Sequence, residues 1–469
     1  MRKLLVSLCC AHALICWSEE IDSARVADAG LPVLTIVTLN GERPSYKEAV
    51  KNSSDYLGSS IADATKVKGR VTISIKGETV FDSGEYIEDV SGMTIKVRGN
   101  TSAVGARKLP YKIKLVKKGD MLCRGNDSIY KDKNWLLIKD ENINNKIGYK
   151  VNELIGMQWT PSYRYVNVMM NGSYEGLYML IESVNRNSRC RLDVSETGYI
   201  AEFDPYFWNE DLYVASTLTH LKWLKMHYTF KYPDNEDFTG EKLSYFKSTV
   251  RNAENSLLDG TYSNYIDVAS FARWMLAHDI LGNGDGAGSN IYFTKYDNTK
   301  NSKIKMANLW DLDCIMANRD SWDEIHNLGV FYFHYLFEGE NQDFKKTYKA
   351  IWREESSYIF DSMQEYLEDY AQSDEATAMD ASIELNNLRW NSNYKNIRYR
   401  VDKAKQWFTE RQEWLSAAIS GIYTDISKPA IEEEKPVYYN LKGQKVSVPA
   451  KGIYIERSGR QKSRIVIIH

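Results

Sequence analysis

Residues 109–115 alternate strictly. Tyr111, Ile113 and Leu115 fall on one face and Lys112 and Lys114 on the other, the period-two pattern of a strand with one buried side. Similar runs predict strands over 31–39, 70–75, 78–81, 94–98, 135–138, 165–170, 174–181 and 199–203. Asn171-Gly172 joins two of these as a tight hairpin. One helix interrupts the series at 142–157, where Ile143, Ile147, Val151, Leu154 and Ile155 recur at helical spacing. From about residue 241 the period lengthens. Helices are predicted at 265–281, 343–370, 374–388 and 393–422, with short strands at 290–295 and 303–309. A β-rich first half and a helical second half predict an α+β fold of two lobes with a cleft between them.

The ends differ from this body. Residues 1–18 have a positive start (Arg2, Lys3) and an apolar run, as in a secretory signal peptide. Residues 19–30 are a polar lead, 31–425 the main domain and 426–436 a charged linker with prolines. Residues 437–469 read as a small β tail. The expected location is therefore exported: periplasm, cell surface or secreted. No stretch beyond the leader is apolar enough to span a membrane. Apolar residues make up 43% of the chain, enough for a sizeable core, and the formal charge of −3 gives no electrostatic case for nucleic acid. Cys9, Cys10 and Cys16 lie in the leader, so Cys123, Cys190 and Cys314 allow at most one bridge, and buried free thiols are expected.

The candidate chemistry centres on residues 281–313. Asp285 and Asn290 stand five positions apart before one short strand, and Asp311 and Asp313 close the next. A carboxylate and an amide followed by a hairpin that returns another carboxylate suit phosphoryl transfer: Asp285 as base, Asn290 and Asp311 as oxygen ligands, Asp313 as a further ligand or structural partner. Taken alone the stretch also reads as a plain turn and a solvated hairpin. Arg98 to Ser102, with Asn100 between, ends a strand in groups able to donate to phosphate oxygens. Lys112 or Lys114 could reach the phosphates, and Glu153 of the inserted helix could pair with that lysine. Glu182 and Glu202 each end a strand and could face a nucleotide or simply cap an edge. His278 stands beside Asp279, but no nucleophile-elbow glycines support a hydrolase.

In order along the chain, LPVLTI, VRGNTS with KLPYKIKL, KNWLLIKDENINNKIG, VNVMMNGSYEGLYMLIE, GNGDGAGSNIYF, NLWDLD and KQWFTERQEWL resemble the spore-coat protein H (CotH) family of atypical secretory-pathway protein kinases. The resemblance implies a kinase-like two-lobed fold, ATP with Mg²⁺ or Mn²⁺, and a protein substrate. It makes Asp285 the catalytic aspartate, Asn290 the following asparagine and Asp311 the metal-binding aspartate. Ala103 replaces a Trp often found after the Arg98 turn, and YDNTKNSK is a polar insertion. A pseudokinase, a non-catalytic surface-binding protein on the same scaffold, and a calcium-binding carbohydrate-associated module are alternatives. The tail resembles C-terminal modules of secreted Bacteroidetes proteins. The sequence does not indicate an oligomeric state.

Overall fold

The alternating segments of the first half curl round until the last strand meets the first. The structure, a computed structural model, describes residues 21–50, 59–125, 127–187, 190–218, 226–286, 290–322, 332–422, 437–439, 445–446, 452–457 and 464–468. Helix α1 (Ser23–Asp28) leads into β1 (Val33–Thr38). There follow β2 (Lys47–Val50), β3 (Ser59–Ala62), β4 (Val67–Ile75), β5 (Glu78–Asp82), β6 (Met93–Val97), β7 (Tyr111–Gly119) and β8 (Asp132–Ile138). After α2 (Asn144–Leu154) come β9 (Tyr163–Met170) and β10 (Ser173–Glu182). Seven of these strands run in the order β1-β9-β10-β8-β7-β6-β4, and β4 pairs back onto β1. The ring is antiparallel except where β1 runs parallel to β9. Closure leaves no open sheet edge except on β5, which adds to β4. The interior is filled by the apolar face of each strand, including Ile36, Val71, Ile95, Ile113, Trp135 and Val168.

The expected β-rich lobe is thus a closed seven-stranded barrel. Residues up to Ala417, helices included, cluster as one compact unit. Alternation states which face of a strand is buried, and it is silent on whether the ends of the sheet meet.

A second, four-stranded sheet follows the barrel. It comprises β11 (Tyr199–Asp204), β12 (His227–Tyr232), β13 (Ile291–Lys295) and β14 (Ile304–Met306), in the antiparallel order β12-β11-β13-β14. Strand β12 was not anticipated. Its segment HYTFKY does alternate polar and aromatic residues, but burial does not follow that alternation: the buried pair is Tyr228 and Thr229. Helices α3 (Gly240–Leu258), α4 (Val268–Leu281), α5 (Phe333–Glu338), α6 (Asp343–Ala371), α7 (Asp374–Trp390) and α8 (Ile397–Ser420) complete the unit. Helix α4 is apolar nearly all round, as a helix packed on every side must be. It stops at Gly282, whose φ of 53° is left-handed.

Helix α7 is fastened to the barrel by a buried polar network. Lys108 Nζ donates to Glu141 at 2.5 Å, to Asn386 Oδ1 of α7 at 3.0 Å and to the carbonyl of Leu177. A lysine this deep is tolerated because each of its protons has an acceptor.

The second unit begins at Ala418. Its strands β15 (Val437–Tyr439), β16 (Lys445–Val446), β17 (Gly452–Arg457) and β18 (Arg464–Ile468) form an antiparallel sheet in the order β16-β15-β17-β18. The expected signal peptide and linker lie outside the described residues. Cys123, Cys190 and Cys314 are free thiols, but none is fully buried as expected: Cys123 and Cys190 are half-buried and Cys314 is exposed. Among the described residues no helix is long and apolar enough to cross a membrane.

Candidate functional site

A cavity of about 770 Å³ is lined by the barrel, the second sheet and the loops that follow α4 and β14. Its three walls carry different chemistry.

The barrel wall is cationic. Strands β6 and β7 send Ile95, Val97, Tyr111 and Ile113 into the barrel, so the intervening Lys96 and Lys112 face outward into the cavity. The two lysines are direct partners in the β6–β7 register. Like charges directly opposite each other repel. Burial, followed by repulsion from Lys96, Lys231, Lys114 and Arg98, lowers the Lys112 pKa to about 8. Strand β6 then exits into Arg98 to Ser102, all of which line the cavity. That turn is held at both ends. Asn100 Oδ1 accepts from Ser60 Oγ at 2.7 Å, and Lys139 Nζ donates to the Ser102 carbonyl at 2.9 Å. Ala103 is buried in the barrel core, so its departure from the family pattern changes packing rather than the cavity lining.

The sheet wall is mixed. Along β11, Glu202 and Asp204 face the cavity, while Phe203 between them packs on Tyr228 at 5.3 Å. Asp204 accepts from Tyr206 N at 2.7 Å and Thr229 Oγ1 at 3.2 Å. Burial, then the charge of Glu202, raises its pKa to about 7. Lys231 lies 2.8 Å from Glu202.

The third wall holds Asp285, Asn290 and Asp311. Asn290 (φ 64°) and Asp311 (φ 56°) are left-handed, a conformation that Asn and Asp tolerate better than most residues and that clusters at functional sites. The Asn290 side chain hydrogen-bonds the Asp311 carboxylate. Burial, then the nearby charge of Asp313, raises the Asp311 pKa to about 6 against the pull of Arg98 and Lys139. Asp285, Asp313 and Cys314 bring one ligand atom each to within 4.8 Å of one another. The Cys314 pKa is pushed up to about 12 by burial and then by Asp313, to which the thiol is hydrogen-bonded. With no cation bound it is therefore a protonated thiol beside carboxylates.

Buried amides hold both loops in place. Behind Asp285, the buried Asn283 accepts from Asp285 N at 3.2 Å, and its Nδ2 lies 3.2 Å from His278 Nδ1. His278 is kept neutral by burial, its pKa lowered to about 3. Around Asp311, α2 grips the backbone on both sides. Leu309 N donates to Asn152 Oδ1 at 2.8 Å and Leu312 N to Asn145 Oδ1 at 3.0 Å. Asn144 Nδ2 donates to the Asp313 carbonyl at 2.7 Å. Gly148 on the same face lets Leu312 approach so closely that an added Cβ would lie 2.3 Å from Leu312 Cδ1. Asp140, accepting from Asn145 N at 2.9 Å, steadies the start of this helix.

Of the residues singled out from sequence, Arg98, Asn100, Ser102, Lys112, Asp285, Asn290 and Asp311 share the cavity. Asp313 is exposed just outside its lining. Three lie elsewhere. Lys114 is exposed farther along β7. Glu153 is on the outer face of α2, 3.1 Å from Lys150, because Asn145, Gly148 and Asn152 occupy the face turned to the Asp311 turn. The expected pairing of Glu153 with a strand lysine is therefore corrected. Glu182 is fully buried, bound by Arg124 Nη1 at 2.9 Å and Ser162 N at 3.0 Å. It braces the end of β10 instead of facing a ligand. The sequence reading missed Lys96, Lys139, Asp204, Tyr206 and Lys231. Lys96 was legible as the outward residue of the 94–98 strand. Lys231 lies on a strand that was not predicted at all.

The fold and cavity define an α+β protein with a cationic wall facing a set of oxygen donors, a combination suited to a phosphorylated ligand with a hard cation. The family described as CotH kinase protein matches residues 95–415, more than half of the chain, and the chain belongs to that family. No curated protein matches it. Membership suggests an atypical, kinase-like function.

Proposed function

We propose that this protein is an exported, atypical protein kinase that transfers the γ-phosphate of ATP to a protein hydroxyl, with the cavity as the cleft of a kinase-like arrangement. The observation that carries the reading is the cavity's polarity: Lys96, Arg98 and Lys112 on one wall, Asp285, Asn290 and Asp311 on another. Repulsion among the cations favours a polyanion between the walls. Asp285 orients the acceptor hydroxyl and takes its proton. Arg98 and the donors of the turn through Ser102 hold phosphate oxygens.

Asn290, Asp311 and Asp313 would hold Mg²⁺ or Mn²⁺. The fit is chemical: the donors are hard oxygens, and Asp311 and Asp313 repel each other in a way a cation relieves. When bound, the metal neutralises phosphate charge and polarises the transferred group.

Purified protein with labelled ATP and Mn²⁺ or Mg²⁺ should phosphorylate itself or an added protein. The Asp285→Ala variant is expected to lose about 10²–10⁴-fold in rate, the usual weight of a positioned base. Equal labelling by that variant would overturn the assignment.

A further inference from the structure

One lysine of the cavity sits at a register slip. In the β11–β12 pair, Ile200 is opposite Tyr232 but Ala201 is opposite Phe230, so Lys231 has no partner across the ladder. Bulges of this kind recur next to active sites, where they redirect a side chain. Lys231 lines the cavity together with Lys96 and Lys112 of the barrel, so cations reach it from two different sheets. Its ammonium lies 2.8 Å from Glu202. Glu202 is itself buried, in a cross-strand row with Thr229 and Tyr292.

The two strand lysines differ in what surrounds them. The leading charges on Lys112 are cationic and, after burial, help hold its pKa near 8. Those on Lys231 are chiefly the carboxylates Glu202, Asp204 and Glu210, which hold its pKa far above the ordinary lysine value despite burial. A lysine that grips phosphate must be charged before the ligand arrives and confined to one place. An ion pair with a buried glutamate supplies both conditions.

Resting on the phosphotransfer reading above, we propose that Lys231 is the lysine that contacts the phosphate chain of the nucleotide, and that Glu202 is its positioning residue. The lysine–glutamate pair of this kinase-like site then comes from neighbouring strands of the second sheet. It does not come from a barrel strand and the inserted helix.

The test is steady-state kinetics together with calorimetric titration of ATP and Mn²⁺, on folded proteins matched by melting temperature. Lys231→Met should lower kcat/KM for ATP about 10²-fold and weaken ATP binding about tenfold or more. Lys231→Arg, which keeps the charge, should recover part of both. Glu202→Gln should raise KM less and lower kcat more, as expected when the ammonium stays but wanders. Lys112→Met should weaken binding less than Lys231→Met does. Should the methionine variant fail to fold, Lys231→Gln carries the same comparison. Wild-type affinity and kcat/KM in a folded Lys231→Met protein would overturn the proposal and leave the pair as a staple of the sheet. If the wild type binds ATP but transfers no phosphate, the phosphotransfer reading fails while the titration still decides the role of Lys231. If it binds no ATP, both fail.

Discussion

The cationic and acidic walls of the cavity are put in place by opposite means. Lys96 and Lys112 arrive by strand alternation: the barrel buries Ile95, Val97, Tyr111 and Ile113, and the lysines between them have no direction left but outward. Asp285, Asn290 and Asp311 stand on loops, two of them in left-handed conformations that no local pattern enforces. Their placement depends on buried amides: Asn145 and Asn152 of the distant helix α2 for the Asp311 turn, and, within its own loop, Asn283 backed by His278 of α4 for Asp285. The strand-built wall is rigid because the core behind it is rigid. The loop-built wall is only as firm as its clamps.

The sharpest way to break this contrast is to cut the clamps. An Asn145→Ala and Asn152→Ala double variant leaves the Leu309 and Leu312 N–H groups buried and unpaired, along with other partners of the two side chains. Each of the two orphaned N–H groups should cost about 1–3 kcal/mol, so chemical denaturation should show a loss of at least about 2–6 kcal/mol. Phosphotransfer should fall further than this loss of folded protein explains, because Asp311 is no longer held. A double variant with ordinary stability and full activity would mean that the loop holds itself.

A smaller effect probes the cationic wall through pH. Lys112 has its folded pKa lowered to about 8, below the roughly 10.4 of an exposed lysine. Between those values the unfolded chain holds the proton more tightly, so the stability of the free protein should rise with pH across the window. Affinity for ATP should move the other way as the ammonium loses its charge. Melting curves and titrations between pH 7 and 9 should therefore diverge in sign, and Lys112→Met should flatten both trends. Parallel trends would show that Lys112 does not face the bound phosphates.

The smallest effect is expected where position along the strand or helix facing keeps a charged group out of the cavity. Lys114→Ala and Glu153→Ala should each change stability by no more than about 0.5 kcal/mol and leave KM for ATP unchanged. Glu153 pairs with Lys150 at 3.1 Å, and exposed pairs of this sort contribute little. A tenfold change in KM from either variant would contradict the cavity described above.

Much of this was readable from local pattern. Residues 109–115, 165–170 and 174–181 alternate or punctuate like strands, and β7, β9 and β10 cover them except for Leu109 and Pro110. The helical period over 343–370 and 374–388 marks α6 and α7 to within two residues. The stretch around Asp285, Asn290 and Asp311 stood out by its residue types, and the three do line one cavity. Glu153 was misplaced because a carboxylate on the inserted helix is conspicuous, whereas Asn145 and Asn152, which do the holding, look like ordinary polar residues in a sequence.

Periodicity settles which side of an element is buried, because burial of apolar surface is decided residue by residue along the strand or helix. It therefore determined most of the barrel strands, the long helices and the outward direction of Lys96 and Lys112, but not β2, β3 or β12. It carries no information about which elements meet. The return of β4 onto β1, the bulge that singles out Lys231 beside Glu202, and the grip of α2 on the Asp311 turn join residues far apart in the chain. Hydrogen bonds and ion pairs of that range depend on register and packing, which form only when the whole unit folds.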